Sequence, residues 1–219
     1  MKMMSIACCL ILMVPFAAAQ QNTAGSSRDL YFQYSPRPNN QQMGRPGVRF
    51  WIERERGGKR EVVPVNTVFR SGDRVKLHFT VNFPAYVAVL NTGTTGKVES
   101  LYPFTGSSQR VNPAVKQTVP KGEYWFKFDE NPGEERLTFL MSAKPIRDVG
   151  QFAARTVTSK PGSAKNGLLS EDLESWTERS SLQSRDLNLD FVGNDGYALS
   201  SPQGVGKVKA FKVTLKHRR

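Results

Sequence analysis

The chain is poor in the residues that carry most thiol, metal and imidazole chemistry. Its 219 residues include two cysteines and two histidines. Both cysteines, Cys8 and Cys9, lie in the first ten residues. Downstream of them no thiol remains. This excludes a disulfide framework, a thiolate zinc site and a cysteine nucleophile in the body of the protein. His78 and His217 are too few for a histidine-rich metal cluster, and no Gly-x-Ser-x-Gly elbow occurs. Acids are also in deficit, with 19 Asp and Glu against 31 Lys and Arg, for a formal net charge of +12. Long apolar runs are lacking too. The stretch Ile6 to Phe16 falls short of the roughly 20 residues a transmembrane helix needs.

That N-terminal run has the layout of a secretory signal peptide. Lys2 supplies the positive start, Ile6 to Phe16 the apolar core, and Ala17-Ala18-Ala19 the small residues before a cut at Gln20. Residues 1–19 are therefore expected to be a signal, and the protein to be exported, periplasmic or extracellular. A buried N-terminal helix is the structural alternative. A lipid anchor on Cys8 or Cys9 is another, but the apolar stretch follows those cysteines instead of preceding them.

Without disulfides, an exported domain must stand on its own core, and about 200 residues suffice for one. The positive charge favours anionic partners: an envelope polymer, lipid headgroups, nucleic acid or an acidic protein. A basic surface without a specific partner is the plainer reading. Export and the lack of any reader motif argue against nucleic acid.

Along the chain, residues 20–47 are rich in Gln, Asn, Ser, Pro and Gly and read as a flexible polar arm. Leu30 to Tyr34 interrupts it with three aromatics, a short sticky strand that packs on its own domain or on another sheet edge. From residue 48 to 219 a single β-rich domain is expected. Val48, Phe50 and Ile52 alternate with Arg49, Trp51 and Glu53, and Gly57-Gly58 makes a turn. Val75, Leu77, Phe79 and Val81 alternate with Arg74, Lys76, His78 and Thr80, which predicts a strand with one wet face.

Tyr86 to Leu90 is apolar on both faces and suits a central strand. Asn91 to Gly96 supplies a turn and Val98 to Tyr102 a return strand stopped by Pro103. Tyr124 to Phe128, Leu137 to Ala143 and Val208 to Leu215 are further strands. Helical spacing is scarce: Ile146, Val149 and Phe152, then Leu169, Leu173 and Trp176 behind a Ser170 cap. Residues 156–203 read as a loosely structured insertion. The expected fold class is all-β: an antiparallel β-sandwich with one or two short helices in that late insertion and a disordered N-terminal arm.

The order of several segments resembles a known family. Phe69-Arg70-Ser71-Gly72-Asp73-Arg74 leads into the alternating strand, followed by Asn82 to Leu90, Gly96-Lys97-Val98 and Leu101-Tyr102-Pro103. Val119-Pro120, Pro132-Gly133-Glu134-Glu135 and Leu137 to Pro145 come after. Together, from about Val62 to Ile146, they resemble the bacterial domain-of-unknown-function family 4384. The resemblance implies a β-sandwich module, found beside kinases or caspase-like peptidases or standing alone in secreted proteins. It implies no catalytic residues.

The remaining motifs carry little chemistry. Gly93-Thr94-Thr95-Gly96-Lys97 is too short for a phosphate-binding loop and lacks the Ser or Thr after the lysine, so it is a hairpin turn. Asp186 to Asp190 alternates oxygen ligands like a calcium loop. Phe191 and Tyr197 stand where Gly and Glu are needed, and a strand with a Gly-Asn-Asp-Gly turn is the better reading. No metal, cofactor or catalytic residue is assigned. The basic residues Lys207, Lys209, Lys212, Lys216, Arg218 and Arg219 crowd the last strand with no acid among them and are the anion-binding candidates. Lysines that guard a sheet edge against aggregation are the plainer explanation. The expected function is an exported, non-enzymatic module that binds a protein partner or an anionic envelope component. The alternative is a carboxylate-dependent hydrolase or lyase acting on an envelope polymer.

Overall fold

Strand β1, Gly47–Arg56, buries Val48, Phe50 and Ile52 on one side, and its turn into β2, Lys59–Val63, needs two residues at positive φ. Gly57 and Gly58 provide them at φ 57° and 80°, the hand that matches the twist of a tight hairpin. The computed structural model describes residues 25–34, 44–104, 108–146, 149, 187–201 and 208–219.

The strands that follow are β3 Val68–Arg70, β4 Arg74–Val81, β5 Ala85–Thr92, β6 Val98–Tyr102, β7 Gln109–Val111 and β8 Gln117–Val119. Then come β9 Phe126–Lys127, β10 Gly133–Ser142, β11 Leu187–Val192, β12 Asp195–Ser200 and β13 Lys209–Arg218. One sheet runs β11-β12-β1-β4-β8, with β2 beside β1 and β9 beside β4. The other runs β3-β13-β10-β5-β6, with β7 beside β5. The protein is thus the all-β sandwich the alternation predicts. Among the described residues one pairing departs from antiparallel order: β13 and β3 run parallel at Lys216 to Arg218.

The two inner faces meet in a phenylalanine cluster. Phe139 and Phe211 stack at 4.6 Å, and Phe50 reaches across to them at 5.2 and 5.6 Å. Phe79 meets Phe139 edge-on at 6.1 Å. Burying each ring stabilises the fold by about 2–3 kcal/mol, with aromatic geometry adding about 1 kcal/mol per pair. Opposite Phe50 in the ladder stands Gly196, where a Cβ would run into the Phe50 ring. On the far side of β5, Ala88 and Leu90 join Val98, Leu140, Ile146 and Val149 in a second apolar cluster. This is why Tyr86 to Leu90 is apolar on both faces.

Several expectations are corrected. Within the supposed flexible arm, Ser27–Phe32 forms a helix, α1, instead of a strand. The Ser26 hydroxyl accepts from the Asp29 backbone N–H at 3.3 Å, a helix cap. Tyr31 packs against Tyr197 and pairs its hydroxyl with Thr80 at 2.9 Å. Asn82 pins the helix by donating to Tyr31 O, at 2.8 Å. The later part of the supposed insertion is ordered as the β11–β12 hairpin, which bears out the strand and Gly-Asn-Asp-Gly turn read there, because Tyr197, Ala198 and Leu199 find a place beside β1. The expected helix around Leu169 to Trp176 lies outside the described residues. Tyr124 is 79% exposed, and only Phe126–Lys127 pairs, because Gly122 at φ 64° turns the chain just before it.

Candidate functional site

The six basic candidates do not form one stripe. Lys207 lies outside the described residues. Lys209 is 1% exposed and belongs to the interior. The correction has a local cause: Lys209 sits across from Met141 on β10 and shares that residue's inward face. Lys212, Lys216, Arg218 and Arg219 are exposed. His217, which falls between Lys216 and Arg218 in that run, is buried. Its Nε2 lies 3.2 Å from Ser71 Oγ, and its ring packs 5.0 Å from Phe128.

Register brings in a residue the sequence reading missed. Arg136 stands opposite Thr214, Thr138 opposite Lys212 and Glu134 opposite Lys216, so all share the outer face of the second sheet. Arg136 is exposed. The outer face therefore presents Arg136, Lys212, Lys216 and Arg218 around Thr214, against Glu134. No sequence signal tied Arg136 to the last strand, because their adjacency follows only from the β10–β13 pairing.

The outer face of the first sheet was expected to be wet and is not. His78 is 4% exposed and Lys76 is buried beside it. Trp51 stacks on the imidazole at 5.4 Å with the planes 19° apart. Arg49 covers Trp51 at 4.8 Å, and Lys76 lies 4.7 Å over Trp125 while donating to Gly122 O at 2.6 Å. His78 Nε2 meets Glu53 Oε2 at 2.9 Å, and Nδ1 meets Thr118 Oγ1 at 3.0 Å. A carboxylate only accepts, so Nε2 carries the proton, and the Thr118 hydroxyl donates to Nδ1 of the neutral ring. Burial lowers the His78 pKa, while Glu53 pulls the other way and loses.

Hydroxyl, imidazole and carboxylate thus line up with the polarity of a hydrolytic triad. The three residues sit on adjacent strands of one sheet face, and His78 and Thr118 are direct ladder partners. The arrangement ties β1, β4 and β8 together. None of the three lines the cavity at the end of the sandwich.

A cavity of about 330 Å³ opens at one end of the sandwich. Its apolar wall includes Ile52, Val75, Leu77, Leu137 and Leu215 from both sheets. Its polar rim comes from the β5–β6 hairpin, the segment after β9 and the start of β10, and includes Asn91, Glu99, Asp129 and Glu135. Asn91 Nδ2 donates to Glu135 Oε2 at 2.7 Å, and Asn91 Oδ1 is buried with no hydrogen-bond partner. Glu99 is paired with Lys97. Asp129 accepts from the Asn131 side chain and backbone, which lowers its pKa. Among the described residues no group of three or more His, Cys, Asp or Glu is placed to hold a metal ion. None of their helices is long and apolar enough to cross a membrane.

Two sheets closed on an aromatic core, with an end cavity and a basic outer face, define a β-sandwich module. Residues 68–145 match the family model described as Domain of unknown function (DUF4384), which bears out the resemblance read in the sequence. Of the residues named around the cavity, all but Ile52 and Leu215 fall within that segment. No curated protein and no solved structure matches the chain.

Proposed function

We propose that the protein is an exported, non-enzymatic module that holds an anionic envelope polymer on the outer face of its second sheet. The observation that supports this is the shared exposure of Arg136, Lys212, Lys216 and Arg218 on two register-paired strands, in a chain of net charge +12. Cations on a flat β face meet the repeating charges of a polyanion without a deep pocket, and sequence-independent attraction of this kind is screened by salt. Turnover would need a second acid kept protonated near the first. In the cavity, Glu99 is paired with Lys97 and Asp129 is held ionised by Asn131. The carboxylate-dependent hydrolase is therefore left with Glu135.

The test is retention on immobilised heparin and on material crosslinked in the native envelope, at low and high salt. The variant is Lys212→Glu, Lys216→Glu, Arg218→Glu and Arg219→Glu combined. Loss of binding with an unchanged unfolding midpoint supports the proposal. Full retention by the folded variant rejects it. A defined protein that stays bound at high salt would replace the polymer with a protein partner.

A further inference from the structure

We infer that the cavity at the end of the sandwich is a binding site for an ammonium or guanidinium group carried on an apolar stem.

Two residues, Asn91 and Glu135, break the apolar pattern of the inner face. On β5 the inward positions run Val87, Val89, Asn91. On β10 they run Glu135, Leu137, Phe139, Met141, with Leu137 the ladder partner of Asn91 and Glu135 that of Leu215. Apolar side chains would be the cheaper choice at both polar positions, since a carboxylate turned toward a hydrophobic interior costs free energy unless a cation compensates it. Among the described residues Glu135 has no ion-pair partner. Asn91 Nδ2 satisfies only its Oε2.

Three lysines, Lys76, Lys97 and Lys127, line the cavity beside Glu135, and the first two are occupied elsewhere. Lys97 is paired with Glu99, and Lys76 is drawn to Gly122 O and Trp125 on the opposite side of its sheet. Lys127 is exposed. Gly93 lies beside the carboxylate: a Cβ there would be in ordinary contact with Glu135 Oε2, at 3.4 Å.

Together these features describe a receptor with an anionic, hydrogen-bond-accepting head and an apolar barrel. A volume of about 330 Å³ lies at the small end of ligand sites and accepts a stem of a few carbons. An ammonium or guanidinium supplies the donors and the charge that Glu135 lacks. The positive field of the whole chain opposes a cationic ligand. Beyond about 10 Å it is screened at 0.1 M salt, and the contact inside a partly desolvated cavity is screened much less. The inference does not depend on the basic outer face, and its failure would leave the polymer reading standing.

The experiment is titration of the full chain with butylamine and butylguanidine, followed by backbone amide NMR. Butanol and butyrate serve as uncharged and anionic controls, and Nα-acetyl-lysine amide represents a side chain on a partner. The expected result is saturable shifts confined to the cavity's lining, at Ile52, Val75 to Leu77, residues 91–101 and 126–137, and Leu215, with butylamine or butylguanidine at least ten-fold stronger than butanol. Glu135→Gln keeps the acceptor for Asn91 and should abolish that preference.

Tighter binding of Nα-acetyl-lysine amide than of butylamine would assign a partner's side chain, and the reverse order a free amine. Equal binding of butanol, a preference for butyrate, absence of saturable shifts, or an undiminished amine preference in folded Glu135→Gln would each overturn the inference. If the variant fails to fold, the ranking of amine against butanol on the unaltered protein decides alone.

Discussion

Trp51 and His78 lie face to face across the β1–β4 ladder, 5.4 Å between ring centroids. The stack buries an imidazole that strand alternation alone would leave in water, and it makes the fold sensitive to acid. The His78 pKa is lowered from 6.5, with burial the main cause. In unfolded chain the ring titrates at its ordinary value. Between the two values the unfolded state binds more protons, so stability is full above 6.5 and declines as pH falls toward the folded value. Urea denaturation at about pH 7.5 and about pH 5.5 should show the loss, and His78→Gln should remove it from that window. A flat wild-type profile would contradict the neutral, buried assignment.

Asp73 supplies a second test. It is 2% exposed and takes Arg56 Nε and Nη2 at 2.6 Å each, and the Arg70 backbone N–H at 2.9 Å. Burial works to raise its pKa, and these bonds outweigh it, so the carboxyl sits below its ordinary 3.8. Its contribution is present above 3.8 and is lost as pH falls through the lower folded value. Arg56 is 38% exposed and can rehydrate, whereas Asp73 cannot. Arg56→Ala should therefore cost about 3–4 kcal/mol and Asp73→Ala about 2 kcal/mol. Equal or reversed costs in denaturant titrations would show that the carboxylate finds another partner.

Gly196 is expected to be intolerant because Phe50 occupies the space of its missing Cβ. Gly196→Ala should destabilise by about 1–3 kcal/mol through overpacking. Phe50→Leu in the same chain should recover part of that loss, a coupling measurable in a double-mutant cycle. Simple additivity would argue against the close approach.

Lys209 separates charge from position. It belongs to the basic run in sequence and to the interior in space. Lys209→Glu should lower the unfolding midpoint, while Lys209→Met should leave heparin retention unchanged. Reversing Lys212 and Lys216 should do the opposite, removing retention at little cost in stability, as exposed positions allow. Reduced retention in folded Lys209→Met would return this residue to the binding surface.

The strands of the sandwich were largely legible because alternation is local. The inward row of Val75, Leu77, Phe79 and Val81 is written in β4 itself, as is the double-sided burial of β5. The hairpin at Gly57-Gly58 and the family segment at 68–145 were legible too. Helix α1 was not, because its aromatics look alike in a strand or a helix, and only the cap at Ser26 and the anchor through Asn82 choose between them.

By itself, then, the sequence determined the architecture: period two, turn residues, and the apolar positions of two sheets. Tertiary structure alone decided which polar positions stay wet. His78 and Lys76 alternate as solvent-facing residues do and are buried, while Arg136 and Lys212 stay exposed. The reason is physical. Alternation reports which side of one strand a residue takes, whereas its exposure depends on what neighbouring strands set beside it. Trp51, Thr118 and Trp125 reach the outer face of β4 from other parts of the chain. The Asn91–Glu135 pair likewise exists only once β5 and β10 are in register.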